Sequence, residues 1–495
     1  MDRENKTHSI KCIMCGLMQL FLVAVTVLLS CETGALSYDA FIETCRIGVV
    51  LVFVSVATVV LCNRGVVKPA SIIMYAFCAF QFGIPMVIAI DSSYTDYVIT
   101  SIPPSTLVTC SWYTLICIEV YSFGSIVACF SGISKSRGPR KSSKTIDFAF
   151  GDRELVAKVA LGLFVFFGIA AYFYMLWFAQ LSFSSGIAVA RDVIGTNAVR
   201  NISRGLFVPA GFLYLIFSMN KAGKRRVFWT MAIYGLIGTL SGDRTESMTL
   251  IVVLAYYYGE LSTVNRGSSK SKLVMVVVLA LVVLSLPIVA QTRMGNSVTV
   301  ESLGSQLESV FTETGYNFYS VCFQSMFIDR IHYGTSYLVS LLAMAPSSLM
   351  PSSITSFMQT NLPAYWIDDV MAAHFAWVTY GQGYSMIAES AFNFGNAGFL
   401  VIAIFGYAIQ RLTQSPLSGN SLFSKYLSVV LLWSFLTIPR RGFDFMVNAI
   451  EYDVIFIVIL MWLFACMSKR GKKVGSLPSN VQKMSVPSEK ERNVR

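Results

Sequence analysis

The sequence predicts an all-α polytopic membrane protein of about twelve transmembrane helices with one large loop on the outer face. Three observations carry that prediction. Of 495 residues, 55% are hydrophobic and only 13% charged, whereas a soluble chain carries roughly a quarter charged residues. Apolar runs long enough to cross ~30 Å of hydrocarbon recur from one end to the other. Once those runs are alternated across a membrane, the lysines segregate to one side. This composition excludes a water-soluble enzyme and a disordered chain. With 14 prolines and 34 glycines, it is not collagenous or low-complexity either. The net charge of +11 does not point to nucleic acid, because the basic residues gather on one face of a membrane.

The spans fall near 12–31, 47–62, 69–90, 106–133, 156–182, 205–220, 227–241, 247–262, 273–291, 394–410, 426–439 and 446–467. The first follows a short basic segment but lacks a small-residue cleavage site, so it reads as a retained signal anchor. The seventh and eighth are short and meet at Ser241-Gly242-Asp243-Arg244-Thr245-Glu246. Reading them as two spans rather than one broken helix keeps the lysines in order. Four regions result: helices one to nine over 1–291, the large loop with interfacial helices over 292–393, helices ten to twelve over 394–467, and a basic tail over 468–495.

With the amino terminus cytoplasmic, all 17 lysines lie at or beyond a cytoplasmic helix end. They include Lys68, Lys135, Lys141, Lys144, Lys221, Lys224, Lys270, Lys272, Lys425 and the tail from Lys469. Twelve of the 21 arginines join them, giving 29 basic residues inside against nine outside. The positive-inside rule then places both termini in the cytoplasm.

The nine outer basic residues are all arginine: Arg46, Arg191, Arg200, Arg204, Arg244, Arg293, Arg330, Arg440 and Arg441. They stand among eighteen acidic residues, for an outer net charge of −9. Guanidinium contacts phosphate and carboxylate bidentately, where lysine offers only a point charge. Arg244, Arg293, Arg440 and Arg441 sit at the outer ends of spans, the depth of a lipid-linked phosphate. The plainer alternative is that each snorkels or pairs with the acidic excess.

The loop over 292–393 is long enough to be functional. Its stretch Tyr337–Met350 is too short to span and is interrupted by Pro346 and Pro351, so helices lying at the interface are expected. Its aromatics, among them Tyr316, Phe318, Tyr319, Phe323, Tyr365, Trp366, Trp377, Tyr380 and Tyr384, either anchor the interface or form a groove that stacks on sugar rings. Most of the 11 cysteines sit inside spans as small apolar residues. Cys31 and Cys45 border the first outer loop and are placed to pair in an oxidising compartment. No Cys/His cluster has metal-ligand spacing, so no metal is expected. Glu119 alone lies well inside a span, and no repeat symmetry shows, which argues against an ion-coupled transporter.

At 381–398 the chain reads Gly-Gln-Gly-Tyr-Ser-Met-Ile-Ala-Glu-Ser-Ala-Phe-Asn-Phe-Gly-Asn-Ala-Gly, leading into an apolar span. This resembles the stretch after the large periplasmic loop of Wzy-type O-antigen polymerases, the oligosaccharide repeat-unit polymerases. Further echoes are Glu313-Thr314-Gly315, the run from Gly334-Thr335-Ser336-Tyr337-Leu338 to Ala345-Pro346, and the Gly242-Asp243-Arg244 turn. The resemblance covers roughly 225–410; the first 200 residues fit only in topology.

What the resemblance implies is a glycosyltransferase of the bacterial inner membrane with a GT-C-type architecture. Its partners would be undecaprenyl-pyrophosphate-linked oligosaccharide, membrane lipid and a chain-length regulator protein, with no nucleic acid. The growing chain would pass from its lipid carrier to the non-reducing end of a new repeat unit at the periplasmic face. The sugar–pyrophosphate bond supplies the energy, so no cofactor is expected. Arg244, Arg293, Arg440 and Arg441 are the candidates for the leaving pyrophosphate. Candidate bases for the acceptor hydroxyl are Glu313, Asp369, His374 and Glu389, ahead of Asp329, His332 and Asp368. Glu389 has a second reading as a cap or tether for the helix near Ser390. An O-antigen ligase and a lipid-linked oligosaccharide flippase remain as alternatives.

Overall fold

The computed structural model describes residues 3–33, 37–135, 153–190, 193–194, 197–261, 303–327, 330–344, 350–363, 384–417 and 422–460, with Leu273 and Val277. All regular structure among the described residues is helical. The amino-terminal half runs α1 (Arg3–Glu32), α2 (Tyr38–Asn63), α3 (Pro69–Ile90), α4 (Pro104–Lys135) and α5 (Arg153–Ser185). Local chemistry fixes their ends. Ser37 caps α2 by accepting from the Ala40 amide at 3.2 Å, and Pro69 stands at the first position of α3, where its missing N–H is harmless.

Seven helices among the described residues are long and apolar enough to cross a membrane. They lie in α1 to α5, over Met386–Thr413, and over Leu422–Arg440. Three further helices fall at expected spans but do not reach that length and apolarity. The helix α6 (Ala198–Phe217) carries Arg200 and Arg204 in its first two turns. The helix α7 (Lys221–Leu240) opens on Lys221, Lys224, Arg225 and Arg226. The helix α8 (Arg244–Tyr256) passes into a π-helical turn at Tyr257–Leu261. The span expected at 273–291 and the tail at 468–495 lie outside the described residues, apart from Leu273 and Val277.

The helices α3 and α4 are largely enclosed by protein, while α1 and α5 turn large apolar side chains outward, among them Phe21, Leu28, Phe166, Ile169 and Phe173. With lipid as solvent, helices associate through close packing and buried hydrogen bonds rather than through apolarity. Both occur. A Cβ on Gly124 would lie 2.0 Å from the Ala403 carbonyl oxygen, and one on Gly406 would lie 2.2 Å from that of Tyr121, so these backbones touch. Gln19 donates to Ser55 at 2.8 Å, and Thr26 donates to the buried Glu119 at 2.7 Å.

The cysteines correct one expectation. Cys31 is an exposed free thiol, and Cys45 is a free thiol wholly buried in the main core, so the two are not paired.

The carboxyl-terminal half contains α9 (Leu303–Gly315), α10 (Asn317–Phe327), α11 (Thr335–Ser340), α12 (Ser352–Asn361), α13 (Met386–Phe394), α14 (Gly398–Leu417), α15 (Leu422–Phe435) and α16 (Phe443–Ile450). Four of these lie wholly in the stretch read as an outer loop, and α13 all but its last residue, but α10 belongs to the core. It packs on α3, α4 and α13, with Phe318, Tyr319 and Phe323 essentially unexposed. These aromatics, and the buried Tyr384, are therefore core residues rather than interfacial anchors or a sugar-stacking groove. A Cβ on Gly83 would lie 2.7 Å from the Cα of Gly315, which explains the glycine of Glu313-Thr314-Gly315 by packing. Tyr365, Trp366, Trp377 and Tyr380 lie outside the described residues.

Contacts between distant helices group the helix ends into two sets. One contains the Lys68–Glu260 pair at 3.1 Å, the Arg153 Nε bond to the Phe217 carbonyl at 2.6 Å, and the Gln410–Asn63 bond at 2.6 Å. The other contains the Tyr319–Asp96 bond at 2.6 Å and an arginine–carboxylate cluster.

Candidate functional site

The cluster forms where α6, the α7–α8 junction and the turn before α16 converge. Asn197 starts α6 by accepting from the Arg200 amide at 3.1 Å. Arg200 and Arg204, four residues apart, then share one helix face. The α7–α8 junction turns at Gly242, whose φ of +91° favours glycine. Asp243 stands at the N-cap of α8, yet its side chain makes no capping bond. Its Oδ2 instead takes Arg200 Nη2 at 2.9 Å and Arg204 Nη1 at 3.3 Å. Glu246, one turn on, takes Arg204 Nε at 2.6 Å through Oε2 and Arg441 Nη2 at 3.4 Å through Oε1. Two aromatic faces complete the arrangement, with Arg200 5.0 Å above the Phe178 ring and Arg441 4.0 Å above Phe445.

Electrostatics separates the three arginines. Burial alone would favour loss of the Arg204 proton, but Glu246 and Asp243 outweigh it and hold the guanidinium charged. The Arg200 and Arg204 side chains are 8% and 16% exposed, and Arg441 is 35% exposed. Arg200 and Arg204 are thus enclosed with their carboxylates, while Arg441 is the most exposed of the three. The three guanidiniums face Asp243 and Glu246, and Asp444 stands as a third carboxylate beside Arg441.

The turn that delivers Arg441 is held from both sides. Upstream, Gln81 Nε2 and Asn317 Nδ2 donate to the Pro439 carbonyl, Asn317 at 3.3 Å. Downstream, the Phe443 amide donates to Glu389 Oε2 at 2.6 Å. The other oxygen of Glu389 accepts from Ser336 Oγ at 2.6 Å, and Asn393 donates to that same hydroxyl at 2.7 Å. Ser385 caps α13, accepting from Ile387 N at 3.1 Å, and donates to Gln81. The polar residues of the 384–393 stretch are therefore wired to the Arg440–Arg441 turn.

Of the residues singled out in the sequence, Arg441 lies in the cluster and Arg440 sits half-buried in the same turn. Glu389 meets that turn through the Phe443 amide and is only 2% exposed. Arg244 is the first residue of α8, between Asp243 and Glu246, and Glu313 lies on α9. Their side chains, and Arg293, Asp329, Asp368, Asp369 and His374 entirely, lie outside the described residues. His332 stacks on Phe392 with ring centres 3.8 Å apart. Burial, and then Arg330, hold its imidazole below the usual range.

Arg200, Arg204, Asp243 and Glu246 were not singled out as site residues. The signal was present in the i, i+4 arginines and the i, i+3 carboxylates, but each pattern alone reads as a solvated helix end. Turning to known proteins, a family model described as O-antigen polysaccharide polymerase Wzy matches residues 13–471. The chain matches no curated protein and no solved structure.

Proposed function

The chain belongs to the O-antigen polysaccharide polymerase Wzy family, and from that premise we propose that it joins undecaprenyl-pyrophosphate-linked oligosaccharide repeat units at the periplasmic face of the inner membrane. The observation that carries the siting is the arginine–carboxylate cluster of Arg200, Arg204 and Arg441 against Asp243 and Glu246. In the alternating twelve-span topology the cluster lies on the face opposite the lysines. The grouping of helix-end contacts into two sets supports that alternation. The loop over 292–393 is periplasmic in this reading, and both termini are cytoplasmic.

The reaction asks two things of the protein. As the bond from the anomeric carbon to the pyrophosphate oxygen breaks, negative charge grows on the leaving undecaprenyl pyrophosphate. Preorganised guanidinium groups stabilise that charge, and Arg441, with Arg244, Arg293 and Arg440, is assigned to it. The acceptor hydroxyl oxygen of the incoming repeat unit forms the new glycosidic bond, and its proton passes to a base. Glu313, Asp369 and His374 are the proposed bases on the loop. A chain-length regulator protein remains a proposed partner.

Deletion of the gene, read on a lipopolysaccharide gel, tests this reading. The expected pattern is core carrying a single repeat unit. Bare core would instead point to a ligase or a flippase and overturn it.

A further inference from the structure

The surroundings of Glu389 are those of a residue that grips its neighbours. Glu389 is 2% exposed, and both carboxylate oxygens are engaged, one by Ser336 and one by the Phe443 amide. A base must reach the hydroxyl it deprotonates within about 2.6–3.2 Å, and both oxygens of Glu389 already hold protein donors at 2.6 Å. Its backbone partner is informative. Phe443 N is one of the unpaired amides at the start of α16, two residues after Arg441. A carboxylate there makes a charge-assisted bond and complements the helix dipole.

We propose that Glu389 is a positioning residue for the Arg440–Arg441 turn, acting through the Phe443 amide rather than on the acceptor. The inference rests on the arginine reading given above. Around the two arginines the backbone is gripped at Pro439 O by Gln81 and Asn317, and at Phe443 N by Glu389. The grips come from α3, α10 and α13, three elements separated widely in sequence. The same residues secure one another, since Ser385 of the α13 cap bonds Gln81, and Asn393 one turn beyond Glu389 bonds Ser336. A guanidinium that must meet growing charge works best when its backbone cannot shift during the reaction. The buried polar stretch over 384–393 thereby acquires a reason to be polar. It fixes the turn that carries the arginines.

Two substitutions at one position separate positioning from base chemistry. In Glu389→Gln the amide oxygen still accepts from Phe443, and the amide nitrogen donates to Ser336 Oγ, so the grip survives without a titratable group. Glu389→Ala removes the grip. Repeat-unit polymerisation by the full-length protein in membranes is expected to stay within a few-fold of wild type for Glu389→Gln, with an unchanged pH profile. For Glu389→Ala it should fall about 10²-fold, the scale of a 1 Å misplacement. Gln81→Ala, which loosens the opposite grip, should move activity in the same direction while membrane insertion stays normal.

If Glu389→Gln inserts normally yet is as inactive as Glu389→Ala, or loses one limb of the pH profile, the positioning role is overturned. Full activity in Glu389→Ala would overturn it as well. Should the alanine variant fail to insert, the glutamine and Gln81 variants still decide. Failure of the underlying arginine reading looks different, since Arg441→Ala would then polymerise normally.

Discussion

The two sets of helix ends handle charge in different ways. At the lysine-bearing set, the ion pairs among the described residues each join one lysine to one carboxylate. Lys68 pairs with Glu260, Lys158 pairs with Glu154 within one helix, and Arg153 finishes α6 by bonding the Phe217 carbonyl. The Glu154–Lys158 pair is more than 70% exposed on both sides, and such pairs contribute about 0–1 kcal/mol. At the arginine-bearing set, three guanidiniums and two carboxylates from three distant segments share partners, and none of the five side chains is more than 35% exposed. Charge placed to orient a chain in a bilayer needs only number and side. Charge placed to hold an anion needs geometry, and among the described residues the shared, enclosed arrangement occurs at the second set.

The largest test concerns which side each set occupies. Reporter fusions within 134–144, within 263–272 and at the carboxyl terminus are expected to give cytoplasmic signals, and fusions within 300–380 periplasmic ones. These signals are all-or-none. A periplasmic signal from a fusion after Lys144 would exchange the two ends and move the cluster to the wrong face.

Next in size is loss of the guanidinium itself. Arg441→Ala, and likewise Arg244→Ala, should reduce polymerisation on a lipopolysaccharide gel by about 10²–10³-fold while insertion stays normal. Arg441→Lys should rescue poorly, because a point charge cannot reproduce the bidentate fork. Full activity in the lysine variants would reduce these arginines to helix-end anchors, and the two ends would no longer differ in kind.

How far the sequence discloses this arrangement depends on the length scale of the signal. Helices announce themselves through long apolar runs, and α3 occupies the expected 69–90 span residue for residue. Boundaries governed by local polar chemistry are harder to read. The helix α6 begins at Ala198 rather than 205 because Asn197 caps it, which brings Arg200 and Arg204 onto a helical face. Asp243 looks like an ordinary cap, but two arginines more than 35 residues upstream outcompete the α8 amides for its carboxylate. The aromatics of α10 illustrate the same limit. Phe318, Tyr319 and Phe323 read equally well as interface anchors, groove or core, and only packing against α3 and α4 makes them core. For Glu389 the motif does not disclose the partner, since Phe443 lies 54 residues away.

A smaller effect is expected at Glu246, which tests whether the cluster is a shared network or a set of separate pairs. In Glu246→Gln, Arg204 loses the charge of its 2.6 Å partner, and Arg441 loses the oxygen that orients it. Leaving the enclosed Arg204 undercompensated should cost about 1–3 kcal/mol, seen as a lower melting temperature in detergent. Arg441→Ala, which removes only the outer and most exposed member, should leave stability closer to wild type despite its greater effect on activity. Equal melting temperatures for the two variants would mean that Glu246 does not couple the arginines.

The smallest expected effect sharpens the comparison from the other end. Lys68 and Glu260 make a single 3.1 Å contact, with the lysine side chain 38% exposed. The partners come from the start of α3 and the π-helical turn after α8, so the bond does join distant segments, as the arginine cluster does. It differs in having one donor, one acceptor and ready access to water, which competes for both. Lys68→Ala should therefore lower stability by less than about 1 kcal/mol and leave polymerisation unchanged on the gel. The residual effect should shrink further at high salt, because exposed charges are screened. Glu246→Gln should keep most of its effect under the same salt, since its partners are enclosed. A Lys68→Ala variant as damaging as Glu246→Gln would mean that linking distant helices, rather than enclosure and shared partners, is what gives a charge pair its weight in this protein.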